Sequence, residues 1–261
     1  MKASFASGAA GARAAARSGA VVVVVDAFRA STTTCLLVQR GVRVIPVDSL
    51  ERAFCVEADY RIGERGSAKV AGFDFGNSPT ELAAADLRPG STAALSTTNG
   101  TRVLRAARGA PTVLTGAFVN ATAVAGELEK LGPEAVVVVG CGWEGKRALE
   151  DELAAGAILH RLAEQGARLD GRGREVVKMY RTRPRTDALG GSAARRLKRL
   201  GHEADLAFCL EEDTIPVAPR LIDGVFEGSA HFVREIRMAR DPGAEELSRV
   251  AGSSTPEEGG A

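Results

Sequence analysis

The sequence contains no apolar run near the ~18 residues that a membrane helix requires. Its longest purely aliphatic runs are Val21 to Val25 and residues 136–139. It also lacks an excess of either charge: 34 Lys and Arg stand against 33 Asp and Glu, a formal net charge of +1. No global field therefore draws the chain to nucleic acid or to an anionic membrane. Histidine is scarce, and His160, His202 and His231 form neither an H-x-x-x-H nor an H-x-H pair, which leaves a histidine-built metal site unsupported. Cys35, Cys55, Cys141 and Cys209 stand far apart with no C-x-x-C pair. That spacing excludes zinc-ribbon and thioredoxin patterns and argues against a disulfide framework. Residues 1–18 lack the apolar core of a secretory signal. The expected compartment is the cytoplasm, with neither membrane nor nucleic acid as a partner.

What is present is ordinary globular usage: 261 residues, 45% hydrophobic and 26% charged. Short β-branched runs alternate with helical stretches. Strands are expected at residues 21–25, 43–47, 93–97, 113–115 and 136–139, with a late one at 215–218. Helices are expected from Ser31 to Val38, after Ser49, from the Ser78-Pro79 start, and over residues 101–107, 120–131 and 149–165. Nearly all-apolar strands between helices predict a three-layer α/β fold: a mostly parallel or mixed sheet with helices on both faces. Residues 63–79 read as a loop excursion. Residues 168–199 carry eleven Lys or Arg with little aromatic interleaving, the pattern of a solvated helix face. The expected division is an N-terminal segment (1–19), a catalytic α/β region (20–235) and a flexible tail (236–261).

Polar residues crowd at the carboxyl ends of the expected strands, where ligands bind in open α/β sheets. The first cluster is Asp26, Arg29, Ser31 and Thr32, a carboxylate, a guanidinium and hydroxyls at a helix start able to hold an anion. The second is Glu64 and Arg65 followed by Asp74 and Asn77, with hard oxygen ligands among permissive glycines. The third, Thr98, Asn99, Gly100 and Thr101, forms a strand-to-helix turn that can aim N–H groups and hydroxyls at an oxyanion, without the full P-loop pattern. The fourth runs from Cys141 through Arg147 to Glu150 and Asp151. Those two carboxylates lie about 100° apart on an ideal helix, which argues against joint action on one atom. Cys141 and Arg147 share the C-x5-R spacing of cysteine phosphatases, so a thiolate nucleophile is an alternative to carboxylate chemistry. A noncatalytic anion-binding protein using the same loops is another.

In order, the four clusters read VVVVDAFRAST, GERGS with GFDFGNSP, TTNGT, and CGWEGKRALED. This series resembles the 2-phosphosulfolactate phosphatase family, whose motifs look like VVIDVLRAST, GERGG with GFDxGNSP, TTNGT, and CxGWEGxxSLED, and the likeness spans residues 20–215. Ser67 replaces the second glycine of GERGG, and Ala148 the serine of SLED. The resemblance implies a magnesium-dependent hydrolase of the phosphate monoester of 2-phospho-3-sulfolactate, or of a similar small phosphorylated hydroxy acid. It implies Asp26, Asp74, Glu150 and Asp151 as catalytic groups, with Asp26, Glu64 and Asp74 toward the metal. Arg29, Ser31, Thr32, Arg65, Asn77, Thr98, Asn99, Gly100, Thr101, Cys141 and Arg147 would then receive the small anionic substrate. A homodimer is compatible with this reading.

Overall fold

In the computed structural model, which describes residues 1–143 and 145–228, strands and helices alternate along most of the chain. The strands are β1 (Lys2–Ser7), β2 (Val21–Val25), β3 (Arg43–Pro46), β4 (Tyr60–Arg65), β5 (Ala68–Lys69), β6 (Thr92–Ser96), β7 (Val113–Thr115), β8 (Ala135–Gly140), β9 (Arg168–Leu169), β10 (Arg220–Ile222) and β11 (Val225–Glu227). The helices are α1 (Gly8–Arg17), α2 (Ala30–Gln39), α3 (Leu50–Cys55), α4 (Pro79–Ala84), α5 (Gly100–Ala106), α6 (Ala121–Leu131), α7 (Leu149–Glu164), α8 (Gly171–Thr182), α9 (Ser192–Arg199) and α10 (Glu203–Cys209). The expected tail at 236–261 lies outside the described residues, as does the end of the expected catalytic region.

The strands form one mixed sheet in the order β5-β4-β6-β3-β11-β10-β7-β2-β8-β1-β9. Two parallel blocks, β4-β6-β3 and β7-β2-β8-β1-β9, are joined through the antiparallel hairpin β10-β11. The polyvaline strand β2 explains the layering, because successive side chains of a strand point to opposite faces. Val21, Val23 and Val25 pack with α6 and α7, while Val22 and Val24 pack with α1 and α5. Every residue of β2 is buried, so the sheet is covered on both faces, as the expected three-layer fold requires. No helix among the described residues is long and apolar enough to cross a membrane.

Three segments differ from the reading of the sequence. Residues 1–19 are not set apart from the sheet: β1 lies between β8 and β9, and α1 packs on α5. Its strand signal is weak because only Ala3 and Phe5 alternate into the core. The start of the expected 63–79 loop belongs to β4, which runs parallel to β6. Gly63 there marks close packing, since an added Cβ would lie 2.5 Å from the Ser96 carbonyl oxygen. Residues 215–218 form no strand; Ile215 and Val217 are buried, but Ile215 N–H bonds Val119 O across a loop. The late strands are instead β10 and β11.

Phe226, on β11 and only 1% exposed, fills the junction between the two parallel blocks, where it pairs with Val44. Phe226→Ala should cost about 3–5 kcal/mol of stability, the range for truncating a buried aromatic side chain. Urea denaturation measures it, and a loss under 1 kcal/mol would show that the hairpin does not bind the blocks together.

Candidate active site

The strands of both blocks end at one rim, and the loops leaving β2, β4, β6 and β8 meet there around a cleft. Asp26 is the first polar residue after the buried β2. Its main-chain N–H donates to Ser31 Oγ at 2.8 Å, and that hydroxyl is 2.7 Å from Thr115 Oγ1. Among the described residues, the Asp26 carboxylate receives only a long contact, from Ala30 N at 3.4 Å. Burial, and then the negative charge of Glu64 and Glu150, push its pKa up to about 7 despite opposing help from Ala30 N–H and Arg29.

Two other carboxylates fasten the loops. Glu64 accepts from Ser67 N at 2.7 Å and from Thr98 N at 2.8 Å, tying the turn after β4 to the turn after β6. Asp151 accepts from Ala27 N at 2.9 Å and from Gly142 N at 2.8 Å, tying the turn after β2 to the turn after β8. Burial, followed by the charges of Asp26 and Glu150, raises the proton affinity of Asp151. Glu150 also faces the cleft, and burial raises its pKa against the opposing charge of Arg196. Glu150 and Asp151 thus reach the same cleft despite their angular separation. Side chains in the first turn of a helix tilt toward its N-terminus, so neighbours converge beyond the helix end.

Asn77 and Asn99 line the cleft with Thr97, and Asn77 Oδ1 and Thr97 Oγ1 are buried atoms with no protein partner among the described residues. Arg29, 3% exposed, lines it too, but its guanidinium is engaged: Nη1 meets Asp205 Oδ2 at 2.6 Å and Nη2 donates to Ser67 O at 2.9 Å. Burial works against ionisation of Asp205, yet hydrogen bonds from Thr80, Arg29 and Ser78 hold its pKa below the usual carboxylate range.

The remaining expected site residues lie elsewhere. Asp74 is exposed and accepts from Arg61 N at 2.7 Å, because the flanking Phe73 and Phe75 turn inward and leave Asp74 outside. Arg65 is directed at Ser96, with Nη2 3.0 Å from Ser96 Oγ. Ser31 and Thr32 brace the turn after β2, the latter through Ala27 O at 3.2 Å. Thr98 contributes its main-chain N–H to Glu64, while Gly100 and Thr101 sit behind the cleft, Thr101 Oγ1 donating to Thr97 O at 2.9 Å. Cys141 is 2% exposed among Val22, Val24 and Val139, and burial with the nearby charges of Asp26 and Asp151 pushes its thiol well above the ordinary range. Arg147 is on the surface, paired with Glu152. The C-x5-R spacing therefore builds no thiolate site: one residue ends in the core and the other in solvent.

Sequence reasoning did not single out Arg196 or Asp205. Arg196 is one cation in a basic run, and only the packing of α9, which buries Ala193, Ala194 and Leu197, turns it toward the cleft while Arg195, Lys198 and Arg199 stay exposed. Asp205 carries no motif signal, since its partner Arg29 is distant in sequence. Asp205→Asn should destabilise the fold by about 3–5 kcal/mol, because it leaves a buried guanidinium uncompensated. The stabilisation due to Asp205 ionisation is present above its unfolded pKa and is lost as pH falls toward the lower folded value. The gap between the two proteins, measured by thermal denaturation, should therefore narrow in acid; a gap independent of pH would refute the ion pair.

The family model described as 2-phosphosulpholactate phosphatase matches residues 10–224. A protein of Thermosynechococcus vestitus, named "Probable 2-phosphosulfolactate phosphatase", is 38% identical over 213 residues, covering 76% of this chain and 87% of the relative. A Synechococcus sp. (strain RCC307) protein of the same name is 40% identical over 215 residues, with 76% and 87% covered. A third of that name, from Synechocystis sp., is 36% identical over 214 residues, with 77% and 88% covered. The matched span holds all four loops that build the cleft, and the chain belongs to the 2-phosphosulpholactate phosphatase family.

Proposed function

We propose that this protein hydrolyses the phosphate monoester of 2-phospho-3-sulfolactate, with magnesium as cofactor. One observation carries the reading: Asp26 is buried beside Glu64 and Glu150, while the nearby Arg29 is already paired with Asp205. Such a cleft favours a cation and, with it, a phosphorylated anion.

The donor set suits magnesium, which takes one or two carboxylates and completes its shell with water and phosphate oxygens. Asp26 would hold it, since its carboxylate oxygens are barely used by the described residues, whereas each oxygen of Glu64 already accepts a main-chain N–H. Among the described residues no three His, Cys, Asp or Glu side chains form a metal cage, and this ion does not need one. When bound, magnesium supplies positive charge against the phosphate oxygens.

Other steps fall to the chain itself. Thr97 and Asn77 offer buried polar atoms without protein partners to the substrate and its water. Hydrolysis forms a bond from water oxygen to phosphorus and breaks the ester phosphorus–oxygen bond. One proton leaves the water and one reaches the departing oxygen. Glu150, whose carboxylate has raised proton affinity at the cleft, is the group assigned to carry it.

Phosphate release from 2-phosphosulfolactate should stop in excess chelator and return with magnesium; an undiminished rate in chelator would sink the metal role. Asp26→Asn should lower kcat by roughly a hundredfold or more. Cys141→Ser should keep most of the activity, because the thiol lies in the apolar core outside the cleft. An active Asp26→Asn beside an inactive but folded Cys141→Ser would reverse the assignment.

A further inference from the structure

We infer that Arg196, laid against Trp143 and anchored by Ser67, is the seat for a second oxyanion of the substrate, the sulfonate or carboxylate that is not transferred. The inference rests on the proposed activity for the identity of the substrate, but its geometry stands apart from the Asp26 chemistry.

Among the described residues two guanidinium groups line the cleft, and they are not equivalent. Arg29 spends Nη1 on Asp205 and Nη2 on Ser67 O, so it is neutralised and short of free donors. Arg196 has its Cζ 3.8 Å from the centre of the Trp143 ring and donates through Nε to Ser67 Oγ at 3.0 Å. No ion pair or hydrogen bond among the described residues uses its two terminal nitrogens. A guanidinium held by one face and by Nε presents its terminal edge, the geometry that receives an oxyanion through paired N–H groups. Stacking on the indole fixes the plane in advance.

Ser67 supplies the second argument. Its φ is +72°, a left-handed conformation that favours glycine. The serine uses every polar group it has: N–H to Glu64, carbonyl to Arg29 Nη2, hydroxyl to Arg196 Nε. A side chain kept in a conformation that disfavours it, and engaged in orienting a cleft arginine, is what a specificity device of this chain looks like.

Trp143 is the sole tryptophan, so its fluorescence reads the site without turnover. Sulfoacetate, malonate and inorganic phosphate serve as probes for titration of the full-length protein, its Arg196→Gln variant and its Ser67→Gly variant, with circular dichroism as the fold control. Sulfoacetate should give a saturable change whose affinity falls about tenfold or more in Arg196→Gln, the scale of a lost charge-assisted hydrogen-bond pair. A smaller loss is expected in Ser67→Gly, which relieves the backbone and so folds. A response to sulfoacetate alone assigns the sulfonate; an equal response to malonate assigns the carboxylate. Silence toward both, or a response to phosphate that depends equally on Arg196, overturns the inference. In turnover, Arg196→Gln should lower kcat/KM about tenfold for 2-phosphosulfolactate alone if the sulfonate is seated there, and about tenfold for 2-phosphosulfolactate and 2-phospholactate alike if the carboxylate is; kcat/KM unchanged for both esters also overturns it. Probe binding at Arg196 without hydrolysis of either ester would instead count against the proposed activity and leave this site standing.

Discussion

Two carboxylates hold the cleft together by accepting main-chain N–H groups from loops that the sequence keeps far apart. Asp151, at the start of α7, joins the turns after β2 and β8; Glu64, at the end of β4, joins those regions near Ser67 and Thr98. Loops at the ends of parallel strands need satisfied N–H groups to remain ordered when buried. Glu64 also places negative charge beside Asp26, as Glu150 does, and so part of the device that assembles the cleft adds to burial in raising the proton affinity of Asp26.

The sheet makes that meeting available. Each parallel block brings its strand ends to one rim, and the hairpin β10-β11 sets the blocks side by side without interrupting the core beneath. Asp26 and Asp151 come from one block and its following helix, Glu64 and Asn99 from the other. A cleft between them is therefore lined from both sides by segments on rigid elements, which favours fixed geometry over loop adaptation.

Arginine positions divide their tasks by what already occupies their donors. Arg29 is buried and balanced by Asp205, and it holds Ser67 O while fixing α10 to the loop after β2. Arg65 braces Ser96, and Arg147 pairs with Glu152 on the surface. Arg196 keeps its terminal nitrogens toward the cleft. A guanidinium recognises an external anion only with the donors that the fold has not consumed.

The sequence by itself determined the layered α/β class, since a polyvaline strand can be satisfied only by burial on both faces, and it marked the four segments that meet at the rim. Among the residues that it marked, Asp26, Glu64, Asn77, Asn99, Glu150 and Asp151 line the cleft. Chain spacing could not decide which way each side chain faces. Asp74 and Arg147 belong to motifs yet point to solvent, and Cys141 points into the core. Conversely, Arg196 and Asp205 carry no local signal, because their roles depend on partners more than a hundred residues away: Ser67 for Arg196, Arg29 for Asp205. Tertiary packing decided those roles, since α9 and α10 have to bury Ala194, Leu197 and Leu206 together, and the polar residues on the same helices are aimed by that burial.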